Sequence, residues 1–97
     1  MSVYVDSLLP VHSNAKWRWD TSCHLMADTV EELHDFAQSI GLERRWFQSR
    51  VDFPHYDLSP DLRLRAVEAG AIELARREFV WKVRELRLIW IDYRDED

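Results

Sequence analysis

Two hydrophobic periods run along this chain, and the changes between them predict its elements. Val3-Tyr4-Val5 is a short β-prone run that ends at Asp6 and reads as the first strand. Residues 7 to 22 are polar and aperiodic, although Trp17 and Trp19 are spaced to share one face of an extended segment. His24-Leu25-Met26-Ala27 reads as a short buried strand. Val30, Leu33, Phe36, Ala37 and Ile40 then recur at helical spacing, behind a Thr29/Glu32 capping box and ahead of Gly41 as the helix stop. Arg45-Trp46-Phe47-Gln48 is expected as a strand, and residues 49 to 58 as a loop around Pro54. Ser59-Pro60 opens a second helix, with Ser at the N-cap and Pro at the first helical position. Leu62, Ala66 and Ala69 line one face of that helix, Gly70 ends it, and Ala71-Ile72-Glu73-Leu74 is expected as a last short strand.

From Ala75 onward the period is helical again. Phe79, Val83, Leu86 and Trp90 fall on one stripe, Glu78 and Lys82 are spaced to pair, and Trp81 and Leu88 lie on the opposite side with Arg84 between them. Leu88-Ile89-Trp90-Ile91-Asp92-Tyr93 would also serve as a strand, and Arg94-Asp95-Glu96-Asp97 reads as a frayed acidic tail. The pattern predicts an α/β (or α+β) fold: a small three- to four-stranded sheet, two packed helices and a long C-terminal helix. Residues 1–75 are expected to form the α/β domain, with 76–97 as a helical extension and tail packed on it.

Composition narrows the function classes. Ninety-seven residues, 46% hydrophobic with five tryptophans, suffice for one core and argue against disorder. A single cysteine, Cys23, precludes an internal disulfide and a zinc–thiolate cluster, which fits a reducing, cytoplasmic setting. The opening residues lack a signal-peptide pattern, and no run of eighteen apolar residues exists to cross a membrane. Net charge is −5, which works against nonspecific nucleic-acid binding and ranks nucleic acid last among direct ligands. Both glycines are used as helix stops, which excludes P-loop and dinucleotide fingerprints.

Candidate chemistry is concentrated in few places. Pro54-His55-Tyr56-Asp57 is the richest cluster, Asp6 ends the first strand, and His24 and Asp28 bracket a second. His55, Asp57, Asp6 and His24 are candidate catalytic residues, and the same four could ligate a divalent metal in a His/Asp site of the phosphohydrolase type. No metal motif is present: there is no His-x-x-x-His, no Cys-x-x-Cys and no adjacent His-Asp pair. Turn and helix-start chemistry at 56–60 accounts for the same residues, and His24 and His34 fit equally as hydrogen-bonded core histidines. Cys23 and His24 would point to opposite faces of a strand, so a Cys–His nucleophile is not expected and Cys23 reads as buried and inert. Trp17, Trp19 and Trp46, with Lys16, Arg18, Arg44 and Arg45, are the residues a single-strand binder would use.

Taken together, these segments resemble the DUF4031 family, short bacterial and phage proteins of unknown function. The resemblance rests on Val3-Tyr4-Val5-Asp6, Cys23-His24-Leu25 with Ala27-Asp28, and Glu32-Leu33-His34 with Phe36-Ala37. Gly41-Leu42 with Arg45-Trp46-Phe47-Gln48, Pro54-His55-Tyr56-Asp57-Leu58 and Gly70-Ala71 complete it, over roughly residues 3 to 75. It implies no activity. Residues 7 to 22 look longer than the pattern, and the segment from about 79 looks like an addition. Small phage proteins of this kind often occupy a host enzyme, and in size and added segment the chain resembles phage proteins that modulate the host recombination nuclease-helicase RecBCD, a resemblance that implies a host protein partner. Three readings follow in rank order. The first is a host-protein modulator without a cofactor, binding through Trp81, Arg84, Leu88 and Trp90. The second is a small metal- or nucleotide-dependent enzyme at the His/Asp residues, and the third a single-strand nucleic-acid binder.

Overall fold

The computed structural model describes residues 2–95, with side chains through residue 91. Its strands are β1 Val3–Val5, β2 Leu9–Pro10, β3 Thr21–Ala27, β4 Gln48–Arg50, β5 Phe53–Leu58 and β6 Ile72–Glu73. Its helices are α1 Val30–Ser39, α2 Pro60–Glu68 and α3 Arg76–Asp95, with a 3-10 turn at Arg44–Trp46. The fold is mixed α/β. Strand order in the sheet is β4-β5-β3-β1-β6, with β2 pairing on β3 off that path. Every pairing is antiparallel except β1 with β6.

The two helix starts form as their side chains dictate. The Thr29 hydroxyl accepts the Glu32 N–H at 3.1 Å and the Ser59 hydroxyl accepts the Leu62 N–H at 3.3 Å, filling two donors that each helix leaves orphaned. The Thr29 box closes on one side, since Glu32 Oε1 has no partner. Gly41 at φ 94° and Gly70 at φ 110° take the left-handed conformation that ends each helix.

Strand alternation divides the core in two. Val5, Cys23, Leu25, Tyr56 and Leu58 point to one face of the sheet, where α1 and α2 cover them with Leu33, Ala37 and Ala66. Tyr4 and Met26 point to the other face and meet Phe79, Leu86 and Trp90 of α3. Trp90 is 1% exposed, and its indole N–H donates to the Ala27 carbonyl at 3.1 Å, which fixes α3 to the C-terminal end of β3. No helix of the described residues is long and apolar enough to cross a membrane.

Several elements differ from expectation, each for a physical reason. The sheet has six strands because three short ones, β2, β4 and β6, add at its margins. β3 begins at Thr21, three residues earlier than its apolar run, because β2 pairs with Thr21 and Ser22. Arg45–Gln48 is not a strand: residues 44–46 turn as 3-10, held by an Arg45–Glu43 ion pair at 2.8 Å, and pairing begins only at Gln48. The expected loop at 49–58 contains β5. Pro54 is tolerated there because it lies second in the strand, against the three-residue edge strand β4. Lys82 pairs with Glu85 at 3.1 Å, and the Glu78 carboxylate instead accepts the Ala75 N–H at the start of α3. Residues 88–93 are helical within α3, and Glu96 and Asp97 of the acidic tail lie outside the described residues.

The load on Trp90 is testable. Trp90→Ala is expected to cost roughly 3–5 kcal/mol, a large part of the roughly 5–15 kcal/mol that holds a domain of this size. Trp90→Phe should cost less, keeping most of the packing and losing the hydrogen bond. Urea unfolding midpoints check both, and an alanine variant as stable as the parent would show that α3 is not held through this side chain.

Candidate functional site

The site is a product of one register. β3 and β5 pair with Cys23 opposite Leu58, His24 opposite Asp57 and Leu25 opposite Tyr56. Because side chains alternate along a strand, Cys23, Tyr56 and Leu58 go to the α1/α2 core while His24, His55 and Asp57 emerge on the α3 face. The three polar residues converge there, with one ligand-capable atom from each lying within 4.8 Å of the others.

The hydrogen bonds behind the triad set its chemistry. His24 Nδ1 lies 2.7 Å from Asp6 Oδ2, while Asp6 Oδ1 accepts the His24 backbone N–H at 2.6 Å. His55 Nδ1 lies 2.8 Å from the Phe53 carbonyl oxygen, which can only accept. Each ring therefore commits Nδ1–H to its own strand neighbourhood and, when neutral, presents Nε2 as a lone pair. His55 Nε2 faces Asp57 Oδ1 at 3.4 Å. Two imidazole nitrogens and a carboxylate oxygen converge there; His55 Nε2 donates to Asp57 when protonated and leaves only acceptors when neutral. The neutral form is the arrangement a cation resolves, and orienting a ligand histidine through a carboxylate or carbonyl on its other nitrogen is the usual support of a metal centre.

Titration directions follow from the same contacts. The hydrogen bond to Asp6 raises His24 above the ordinary imidazole range, with burial working against it. The hydrogen bond from His55 lowers Asp57 below the ordinary carboxyl range, so it stands ionised as an acceptor. The pocket draws positive charge to itself.

Aromatic rings wall the site. Phe53 stacks on His55 with centroids 4.3 Å apart and planes 19° apart, and Phe79 of α3 lies 6.2 Å from His24. His55 is buried, whereas His24 and Asp57 side chains keep 35% and 39% of their surface exposed. The site thus has one buried side chain, His55, and two that reach solvent, His24 and Asp57.

The other sequence candidates fall elsewhere. Asp6 is buried behind His24, with both carboxylate oxygens occupied, and its backbone carbonyl accepts the Arg63 Nε–H at 2.9 Å. Asp28 accepts from Ser2 N–H and Tyr4 O–H, both at 2.8 Å, far along the sheet. Cys23 lies in the opposite core, where burial pushes its thiol up to about 12. His34 pairs with the Tyr56 hydroxyl at 2.9 Å through Nδ1 and stands apart from the triad. Trp81 and Leu88 are 62% and 73% exposed on the outer side of α3, with Arg84 over the Trp81 ring at 5.3 Å; Trp90 faces inward. Trp17, Trp19, Trp46, Lys16 and Arg45 line a cleft that shares Asp57 with the triad, while Arg18 stacks over Trp19 at 5.0 Å.

Residues 3–86 match the family described as Protein of unknown function (DUF4031). The chain belongs to that family. No curated protein and no solved structure matches it. The DUF4031 match takes in Asp6, His24, His55 and Asp57 and runs into α3 as far as Leu86, so the first half of that helix is family sequence and not an addition. Leu88 and Trp90 lie beyond it.

Phe53 and Phe79 are site residues that sequence reasoning did not single out. The signal for Phe53 was present: Phe53, His55 and Asp57 share one parity, and Pro54, Tyr56 and Leu58 the other.

His34 gives a pH prediction distinct from the site. Burial lowers its affinity for a proton, Arg44 adds to this, and its buried Nε2 has no partner. With the folded value below the unfolded value of about 6.5, the unfolded chain takes up the proton first. Stability is therefore intact above that value and declines as pH falls through it. In chelator, the parent should lose more of its urea midpoint between pH 7.5 and 5.5 than His34→Gln does; parallel curves would contradict the assignment.

Proposed function

We propose that this DUF4031 protein is a metal-dependent hydrolase of the phosphohydrolase class, with His24, His55 and Asp57 as ligands to a divalent cation. The observation that carries this reading is the convergence of one ligand-capable atom from each of His24, His55 and Asp57, with Asp6 and the Phe53 carbonyl engaging Nδ1 of the two rings. Two imidazoles and one carboxylate suit zinc and its transition-metal neighbours better than magnesium or calcium, which take oxygen ligands. Tetrahedral bonds of about 2.0 Å to nitrogen or oxygen put ligand atoms roughly 3.3 Å apart. Binding would draw the three ligand atoms, which lie within 4.8 Å of one another, in to that spacing, Asp57 being the most exposed of the three.

Three protein ligands leave a fourth position open. A divalent cation held by His24, His55 and Asp57 would supply a Lewis acid and an activated water near neutral pH. The residues of the chain do the rest: Asp6 steadies His24 in its ligand tautomer, Phe53 and Phe79 keep the inner side dry, and Lys16 and Arg45 on the adjoining cleft carry positive charge for a phosphate. Water adds to phosphorus, the P–O ester bond breaks, and its electron pair leaves on the ester oxygen, which takes a proton.

Isothermal titration of chelator-stripped protein with zinc should give one site per chain. His55→Ala should abolish it, and Asp6→Asn should weaken it roughly 10- to 100-fold. Zinc-dependent cleavage of a chromogenic aryl phosphodiester should vanish in the same His55→Ala variant. Stoichiometric binding that survives His55→Ala would remove the reading.

A second reading has its own observation. Val80 and Trp81, and Leu88 and Ile89, are two exposed apolar pairs along α3, with Arg84 between them and over the Trp81 ring. We infer that this outer face takes a protein partner, with a host nuclease-helicase of the RecBCD type as the partner the sequence resemblance implies. Tryptophan and arginine dominate interface energetics, so Trp81→Ala with Leu88→Ala should end capture of purified RecBCD by the immobilised protein; equal capture by parent and variant would dismiss it.

A further inference from the structure

The cleft beside Asp57 is built from a different chemistry than the triad. It measures about 780 Å³, within the roughly 300–1,000 Å³ of small-molecule sites. Trp17 and Trp19 form one wall, their rings 4.8 Å apart at 62°, and the Trp17 N–H is tied to the Thr21 carbonyl at 3.2 Å. Trp46, 42% exposed on the 3-10 turn, supplies an aromatic face from another segment. An indole with open surface and no core role is a stacking platform. Lys16 and Arg45 add the cations, Arg45 sharing its charge with Glu43.

The cleft and the triad are continuous. Asp57 belongs to both. Gln48 stands opposite His55 in the β4–β5 register and Ser22 lies two residues before His24 on the same face, and both line the cleft. A ligand seated among the tryptophans therefore meets the triad at Asp57, the member that both share.

The geometry points to a nucleotide as the substrate class: a planar base stacked between the tryptophans, with its phosphate carried past Lys16 and Arg45 to His24, His55 and Asp57. This rests on the hydrolase reading and names its substrate. Size and charge select a single unit over a long strand. The chain carries 18 acidic against 13 basic residues, so an extended polyanion meets net repulsion outside the cleft.

Tryptophan fluorescence of the zinc-loaded protein, titrated with adenosine 5′-monophosphate, ribose 5-phosphate and adenosine, tests it. The nucleotide should quench saturably and bind roughly 10-fold or more tighter than ribose 5-phosphate, the span of one stacked base. Trp46→Ala, at an exposed position that leaves the core intact, should remove that advantage and leave ribose 5-phosphate unchanged; circular dichroism confirms its fold. Lys16→Ala should weaken both phosphates and not adenosine. Equal affinity for the nucleotide and ribose 5-phosphate would overturn the inference. So would a single strand of about 20 nucleotides that outcompetes the nucleotide with a steep salt slope. Zinc binding and ester cleavage without base preference would sink this inference alone. Base-selective binding in a protein that takes no zinc would sink the hydrolase reading and leave the cleft standing.

Discussion

The pairing of β3 with β5 is the constraint on which the rest depends. A strand has a period of two, so a slip of one residue would send His24, His55 and Asp57 into the α1/α2 core and bring Cys23, Tyr56 and Leu58 out beneath α3. The register is held from the apolar side, where Cys23, Leu25, Tyr56 and Leu58 are almost wholly buried against α1 and α2. The polar triad contributes nothing to that choice and is placed by it. Packing on one face of the sheet therefore specifies chemistry on the other.

The α3 face of the sheet is itself divided. Trp90, Leu86 and Phe79 cover the stretch around Tyr4 and Met26, and the Trp90 indole uses the Ala27 carbonyl as its anchor. Beyond Phe79 the face continues as His24, His55 and Asp57, partly open. The helix thus closes a dry core up to the edge of the triad and stops there. Phe79 and Phe53 form the boundary, apolar on one side and against imidazole on the other. A buried imidazole such as His55 is tolerated because both its nitrogens find a polar neighbour, the Phe53 carbonyl and the Asp57 carboxylate.

Helices were legible in the sequence because their signals are local: Thr29, Ser59-Pro60, Gly41 and Gly70 each act within one turn. The short strands were not, since Leu9–Pro10, Gln48–Arg50 and Ile72–Glu73 exist only through a partner and carry little hydrophobic pattern of their own. β5 was hidden by Pro54, a residue that ordinarily breaks strands, even though Tyr56 and Leu58 alternate with His55 and Asp57. The four polar candidates Asp6, His24, His55 and Asp57 were legible as types. Their division into three converging groups and one supporting carboxylate was not, because it depends on cross-strand register. Trp46, expected in a core strand, lies exposed because the chain turns at Glu43–Arg45 before pairing begins.

The parallel contact of β1 with β6 bears on how the protein comes to be folded at all. β1 sits between β3 and β6, and Val5 is paired with Glu73 from far along the chain. A strand with neighbours from both halves of a sequence cannot be paired on both sides until most of that sequence is present, and closing so long a loop is slow. Asp6 follows directly on β1, so the carboxylate that orients His24 is placed by the β1–β3 pairing, while β6 closes β1 from its other side. The support of His24 thus spans only 18 residues of chain, whereas the seal on β1 awaits residue 73, so the orienting contact belongs to the more local part of the sheet.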